Sequence, residues 1–297
     1  MALRPRLMFA EYGQSPFLDA YRKRAAAAKI TTQTLRGGVS VLSGSGGNIG
    51  VLAGKDGVVV IDSGVATSQP QLTQALAALS SAKVTHLINT HWHFDHTDGN
   101  EWMHAQGASI LAHENTRIRL STPQYMEAIE THFPAAAKGA WPVKTFADKM
   151  TLRANGEEMR LEHVAPAHTD TDLLVHFVHA DVIHAGDIWF NNVYPLIDVS
   201  SGGRIDGMIA GASRVLQLAG KQTIIIAGHG PVGDATALTA YRDMLAAVRD
   251  RVVELKQKGM TLEEAVAAKP TAPFDAVWGK NPSVGPDVFA RLVYRTL

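Results

Sequence analysis

His91-Trp92-His93-Phe94-Asp95-His96 places three imidazoles and one carboxylate within six consecutive residues. Neutral imidazole and carboxylate are the usual protein ligands of zinc and its first-row neighbours. Four such groups packed this tightly are poorly explained by surface polarity. The stretch before them, Val84 to Thr90, is apolar and β-branched and reads as a buried strand. The ligand run therefore opens where a strand ends, on a loop held by rigid scaffold. Residues two apart in an extended loop point the same way, so His91 and His93 can share one ion.

Three further candidates follow apolar strands. His168 lies in the turn Ala165-Pro166-Ala167-His168-Thr169-Asp170, Asp187 closes Val182-Ile183-His184-Ala185-Gly186-Asp187, and His229 closes Ile224-Ile225-Ile226-Ala227-Gly228-His229-Gly230-Pro231. Each alone is a weak signal, because a single histidine after a strand is more often a hydrogen-bonded structural residue. Together with the first run they supply seven donors, too many for one tetrahedral ion and suited to two ions sharing a bridge. The position of Asp95 leaves its assignment to one ion or the other open. Asp62, at the end of its own strand, is a candidate for orienting a ligand imidazole or for capping its turn. Of the remaining histidines, all read as non-ligands, His113 and His163 are the ones to check.

The elements that must hold these residues can be read around them. Val39–Leu42 is a strand. Asn48–Ala53 and Val58–Asp62 form a hairpin across Gly54-Lys55-Asp56-Gly57. Gln71–Ser80 is an amphipathic helix, and a short helix near 100–106 precedes a strand at 108–112. Residues 114–149, with Pro123, Pro134 and Pro142, read as a lid or insertion beside the site. A second β-rich block runs through 150–153, an Asn155-Gly156 turn, 158–164, 172–178 and 181–185. Ile205–Ala219 is helical, 222–227 is a buried strand, and Leu238–Lys258 is a long helix stopped by Gly259. Strands followed by strand–helix alternation, twice over, predict two mixed sheets with helices outside them. Residues 1–35 read as an extension carrying one short helix, and 36–297 as a single domain.

Composition narrows the rest. The 297 residues are 46% hydrophobic, enough for a large core, and Lys plus Arg (28) equals Asp plus Glu (28). The absence of net basic charge argues against nucleic acid. The one basic cluster, Tyr21-Arg22-Lys23-Arg24, reads as a solvated helix face. There is no cysteine, so any metal must be held by His, Asp and Glu. No run approaches the roughly 18–20 apolar residues that span a bilayer. A soluble protein is expected: cytoplasmic as the chain stands, periplasmic if a leader was trimmed. Its partner is expected to be a small-molecule substrate.

With these residues in place, the chain resembles the metallo-β-lactamase superfamily of hydrolases. His91, His93, Asp95 and His96 meet the family's His-x-His-x-Asp-His motif, and His168, Asp187 and His229 meet its later ligands in order, over roughly 39–233. The resemblance implies an α/β (α+β) fold, a four-layer αββα sandwich of two mixed β-sheets. It implies His91, His93 and His168 on one metal, Asp95, His96 and His229 on the other, and Asp187 bridging. Two divalent ions, zinc first, with iron or manganese admitted by the carboxylate bridge, would activate a water to hydroxide. Asp187, where many true β-lactamases have cysteine or a non-ligand, looks more like glyoxalase II, the lactonases and related esterases. The segment Gly186–Asn192 is also similar to a quinoprotein-associated group of hydrolases. The implied activity is hydrolysis of an ester, thioester, lactone or β-lactam. The alternatives are a β-lactamase proper or a mononuclear iron enzyme of the persulfide-dioxygenase type. Asp95 is expected to orient the hydroxide, and Tyr194 to donate to a developing oxyanion. Trp189, Phe190 and Tyr194 are candidates for the pocket wall.

Overall fold

The computed structural model describes residues 15–164, 166–281 and 283–297. The charged stretch 1–10, and with it the start of the expected extension, lies outside the described residues, as does Ala165 of the His168 turn. After helix α1 (Pro16–Ala27), strands β1 (Thr31–Thr34), β2 (Val39–Ser43), β3 (Ile49–Gly54) and β4 (Gly57–Ile61) pair antiparallel in sequence order. Helix α2 (Gln69–Leu79) then crosses over to β5 (Val84–Ile88), which lies parallel to β4. Helices α3 (Phe94–Thr97) and α4 (Asn100–Ala105) lead to β6 (Ser109–His113), parallel again. The expected lid region holds α5 (Glu114–Ser121), a hairpin of β7 (Gln124–Met126) and β8 (Thr131–Phe133), and β9 (Lys144–Phe146), which closes the edge of the first sheet against β6. Part of the expected insertion is therefore sheet. So are residues 31–34 of the expected extension, which pair with β2.

The second sheet repeats the plan. Strands β10 (Lys149–Ala154), β11 (Glu157–His163), β12 (Leu173–Phe177) and β13 (Val182–His184) are antiparallel neighbours. Helix α6 (Ile205–Leu218) crosses to β14 (Ile224–Ile226), parallel to β13. Helices α7 (Ala235–Gln257), α8 (Leu262–Ala267), α9 (Asp275–Trp278) and α10 (Pro286–Arg295) complete the chain.

Period-two alternation sorts each strand between two cores. In β4, Val59 and Ile61 face Val175 and Phe177 of β12 across the sandwich. Val58 and Val60 face outward onto Leu72 and Leu76 of α2. In β14, Ile226 joins the inter-sheet core while Ile225 packs under α6 and α7 with Val215, Met244 and Leu245. Strands covered on both faces read as unbroken apolar runs, which is why Val58–Ile61 and Ile224–Ile226 show no polar alternation. The result is the four-layer αββα sandwich. Each fully buried aliphatic side chain contributes about 1.5–3 kcal/mol.

At one end of the sandwich the β3–β4 and β10–β11 turns are stitched together. Asp56 N–H donates to Asn155 Oδ1 (2.8 Å), Asn155 N–H to Asp56 Oδ2 (3.0 Å), and Asn155 Nδ2 to Gly57 O (2.8 Å). Asn155 and Gly156 have φ of 57° and 77°, the left-handed pair a type I′ turn requires. The other end holds the site.

Candidate metal centre

The carboxyl ends of parallel strands form the natural crevice of an open α/β sheet. Here β4 and β5 from one sheet meet β13 and β14 from the other. Asp62 follows β4 in a left-handed conformation (φ 65°). The cost of that conformation is offset by what its carboxylate accepts. Thr90 N–H donates to Oδ1 (2.7 Å), and Thr90 Oγ1 and His96 Nδ1 donate to Oδ2 (2.7 and 2.8 Å). Asp62 thus fixes an imidazole and holds the loop at Thr90, and these bonds reach across to another strand end rather than cap its own turn. The His168 turn is built the same way: Asp172 Oδ2 accepts from the backbone N–H of His168 (2.7 Å) and Thr169 (2.9 Å). Burial raises the Asp172 carboxyl to about 6 despite those bonds from Thr169.

Seven side chains converge in two groups that could each hold a metal ion: His91, His93, His168 and Asp187, then Asp95, His96 and His229, the ligand atoms of each group lying within 4.8 Å of one another. Asp187 Oδ2 lies 3.4 Å from His168 Nε2, 3.7 Å from His91 Nε2 and 3.4 Å from His229 Nε2, and Oδ1 is 3.2 Å from His96 Nε2. It therefore faces both groups. Asp95 Oδ2 is 3.2 Å from His229 Nε2 and 3.9 Å from His96 Nε2. Nitrogens bonded at 2.0–2.1 Å to a tetrahedral ion lie about 3.4 Å apart, within the spread of these separations.

The tautomers make the case for a cation. Leu196 O accepts from His168 Nδ1 (2.7 Å) and Asp198 Oδ2 from His93 Nε2 (3.0 Å). That leaves lone pairs on His168 Nε2 and His93 Nδ1, which face each other at 2.8 Å. Thr90 Oγ1 gives its proton to Asp62, so it accepts from His91 Nδ1 (3.1 Å); His91 Nε2 is left buried with no hydrogen-bond partner. Inward lone pairs this close are satisfied by a bound cation or by a proton shared between the rings. Burial, reinforced for His91 by His96 and for His93 by His168, pushes these imidazoles and His168 below the usual range, toward the neutral form a metal requires. Burial also opposes charge on His96 and His229, but Asp187 and Asp95 outweigh it. Both are raised, His229 to about 9. Asp187 is buried as well, yet His229, His96 and His91 hold its carboxyl far below the usual range.

Two glycines let these groups meet. An ideal Cβ on Gly228 would sit 2.0 Å from Asp187 Oδ1, and one on Gly47 would sit 2.1 Å from His96 Cε1.

Tyr194 is not at the centre. It is fully buried, stacks on Phe289, and its hydroxyl donates to Asp275 Oδ1 (2.8 Å). The expected oxyanion role is corrected: the hydroxyl points into the C-terminal helices, away from the cavity. Trp189 is likewise core, whereas Phe190 stacks on His229 and lines the cavity. Phe94 also lines it. His113 and His163 stack on each other at 3.7 Å and bond the carbonyls of Ala147 and Asp170, apart from the seven.

Two participants escape sequence reasoning. Asp198, which orients His93, lies 105 residues away, where it caps a single 3-10 turn (Val199–Ser201). Tyr21 of α1 donates to Asp95 Oδ2 (3.2 Å) and packs its ring edge-on against Phe94. The cluster containing it had read as a solvated face. The cavity over the centre measures about 480 Å³; the lid region adds Met126 and Ile129 to its wall, and the C-terminal segment adds Asn281, Ser283 and Val284.

A layered sandwich with convergent His and Asp donors at its open end is a scaffold that could hold metal ions. Residues 42–252 match the metallo-beta-lactamase superfamily, more than half of the chain, which therefore belongs to that superfamily. Similar solved structures include a metallo-beta-lactamase from Pontibacter korlensis (21% identity, TM-score 0.56, 74% of this chain and 94% of that one). Another is DIM-1 metallo-beta-lactamase (18%, 0.57, 73% and 97%). The stereoselective inverting sec-alkylsulfatase Pisa1 from Pseudomonas sp. is 16% identical with TM-score 0.68 over 93% of this chain and 51% of that one, so the chain spans about half of its length. At such identities the likeness is one of fold. No curated protein sequence matches the chain. Among the described residues no helix is long and apolar enough to cross a membrane.

Proposed function

We propose that the protein is a dinuclear metal-dependent hydrolase of small carbonyl substrates: esters, thioesters or lactones, with β-lactams as the nearest alternative. The observation that carries this reading is the position of Asp187, whose two oxygens face both ligand groups. His91, His93 and His168 would hold one ion, Asp95, His96 and His229 the other, with zinc preferred for its match to imidazole donors. When bound, such a pair supplies Lewis acidity and a water acidic enough to act as a nucleophile near neutral pH. The full second group argues against a mononuclear oxygenase.

The chain's own groups do the rest. Asp62, Asp198 and the Leu196 carbonyl lock three imidazoles in the ligating tautomer. Asp95, steadied by Tyr21 and His229, is placed to hold the attacking water and pass its proton to the leaving group. Asp95→Asn should keep most of its metal and lose about a hundredfold or more in kcat. Near-normal turnover at full metal content would remove that role.

The reading is tested by metal analysis and a panel of lactones, thioesters, carboxylic esters, β-lactams, alkyl sulfates and phosphodiesters on the metal-replete protein. About two ions per chain and turnover of carbonyl substrates are expected. One ion with oxygen uptake, or turnover confined to phosphodiesters or sulfates, would overturn it.

A further inference from the structure

Helix α1 does more than pack. Phe17, Tyr21, Arg24 and Ala25, with Ala28 just past its end, fall on one face, and all five line the cavity. The helix is pinned there by long-range polar contacts. Arg22 pairs with Asp98 (3.2 Å), Thr67 Oγ1 donates to Arg22 O (2.8 Å), and Gln71 Nε2 donates to Ala26 O (2.6 Å). It thus forms a wall of the chamber directly over the metal-binding loop. Phe190, Val193, Leu196 and Val284 add apolar surface to the lining.

Within this apolar chamber the charges are few. Apart from the candidate metal ligands, Arg24 is the only charged side chain among the described residues lining it. Its guanidinium sits 5.1 Å from the centroid of the Tyr21 ring, and that ring carries the hydroxyl bonded to Asp95. One phenol ring therefore separates Arg24 from the metal centre. Its neighbour Arg22 is taken up by Asp98, whereas no acidic side chain pairs with Arg24 among the described residues. Arg24 is exposed at the mouth of the chamber, its guanidinium over the Tyr21 ring, and a guanidinium fork without an acidic partner is suited to a carboxylate.

We infer that the cavity takes an elongated substrate with an apolar middle and a carboxylate at the end remote from the bond that is cleaved, and that Arg24 recognises that carboxylate. The inference rests on the hydrolase reading only for where the cleaved bond lies. Arg24 is a specificity residue; it does not touch the reacting atoms.

Calorimetric titration of the zinc-loaded full chain tests this without turnover. The probes are octanoate, ω-hydroxyoctanoate and the α,ω-dicarboxylates from hexanedioate to dodecanedioate. One carboxylate of each would sit at the metal centre, and only the diacids would offer a second to Arg24. The best-fitting diacid should bind about tenfold more tightly than octanoate, as a charge-assisted bidentate pair predicts. Arg24→Ala should reduce that preference to within about twofold, and Arg24→Lys should retain part of it, since the ammonium keeps charge without the planar fork. Arg24→Glu should make diacids weaker than octanoate. The inference is overturned if no diacid gains over octanoate, if ω-hydroxyoctanoate gains as much, if Arg24→Ala keeps the preference, or if no probe binds measurably. Hydrolysis is judged separately on the wild-type substrate panel. A silent panel with an Arg24-dependent gain removes hydrolysis and leaves the recognition standing; an active panel without the gain does the reverse.

Discussion

Tyr194 and Tyr21 show what a side chain's surroundings decide that its chain position does not. Tyr194 stands seven residues after Asp187, yet its hydroxyl is held by Asp275, and burial, with Asp275 next, pushes the phenol well above its usual range. Tyr194→Phe should cost about 1–2 kcal/mol in urea unfolding, one buried hydrogen bond to a carboxylate, and leave kcat where it was. A large fall in kcat at full folding would restore the oxyanion role. Tyr21 is 74 residues from Asp95 and reaches it. The seven candidate ligands were legible because four fall in one dense run after a strand and the other three each follow an apolar run with small residues nearby. Tyr21, Arg24 and Asp198 were not, because nothing in their local pattern marks them. Their role comes from contacts made only once α1 and the loop at 198 dock.

At the scale of elements, strands β2 to β6 and β10 to β14 were readable from apolar runs and from the Asn155-Gly156 turn. The lid region was less so, since β7, β8 and β9 are three residues each and owe their existence to pairing partners rather than to their own sequence. The turn between β14 and α7 depends on Gly228. Its Cβ would meet Asp187 Oδ1 at 2.0 Å and Gly186 backbone atoms at 2.6 and 2.7 Å. Gly228→Ala should therefore displace the β13 and β14 ends from each other, destabilise the fold by about 1–3 kcal/mol as overpacking does, and lower metal content. Thermal unfolding and elemental analysis on the same sample check both.

For the molecule as a whole, metal uptake and protonation are linked. In the metal-free state His96 and His229 are raised above the ordinary histidine value, so near pH 7 they carry protons that an ion must displace. Zinc binding at that pH should release about two protons per chain from these histidines, besides any given up by an activated water, and fewer as pH rises through about 9, where His229 loses its own. Calorimetry in buffers of different ionisation enthalpy measures this. Their charge stabilises the metal-free fold below the unfolded histidine value, and the His229 share is lost as pH rises through about 9. His91, His93 and His168 are lowered, so their share is present above the unfolded value and lost as pH falls below it. An unchanged proton count between pH 7 and pH 10 would contradict the assignment.

The reciprocal stitch between Asp56 and Asn155 gives the sandwich a hinge pin. Each candidate ligand group draws on both halves of the chain, His91 and His93 with His168 and Asp187, Asp95 and His96 with His229, so ions bound there would act as a clasp at the opposite rim. Chelation should let the two leaves part like a shell that opens at the lip and stays shut at the back. Amide hydrogen exchange should quicken at 89–97, 166–172 and 227–230 while 54–58 and 153–157 keep their protection. Equal loss at both ends would mean that the leaves separate as a whole.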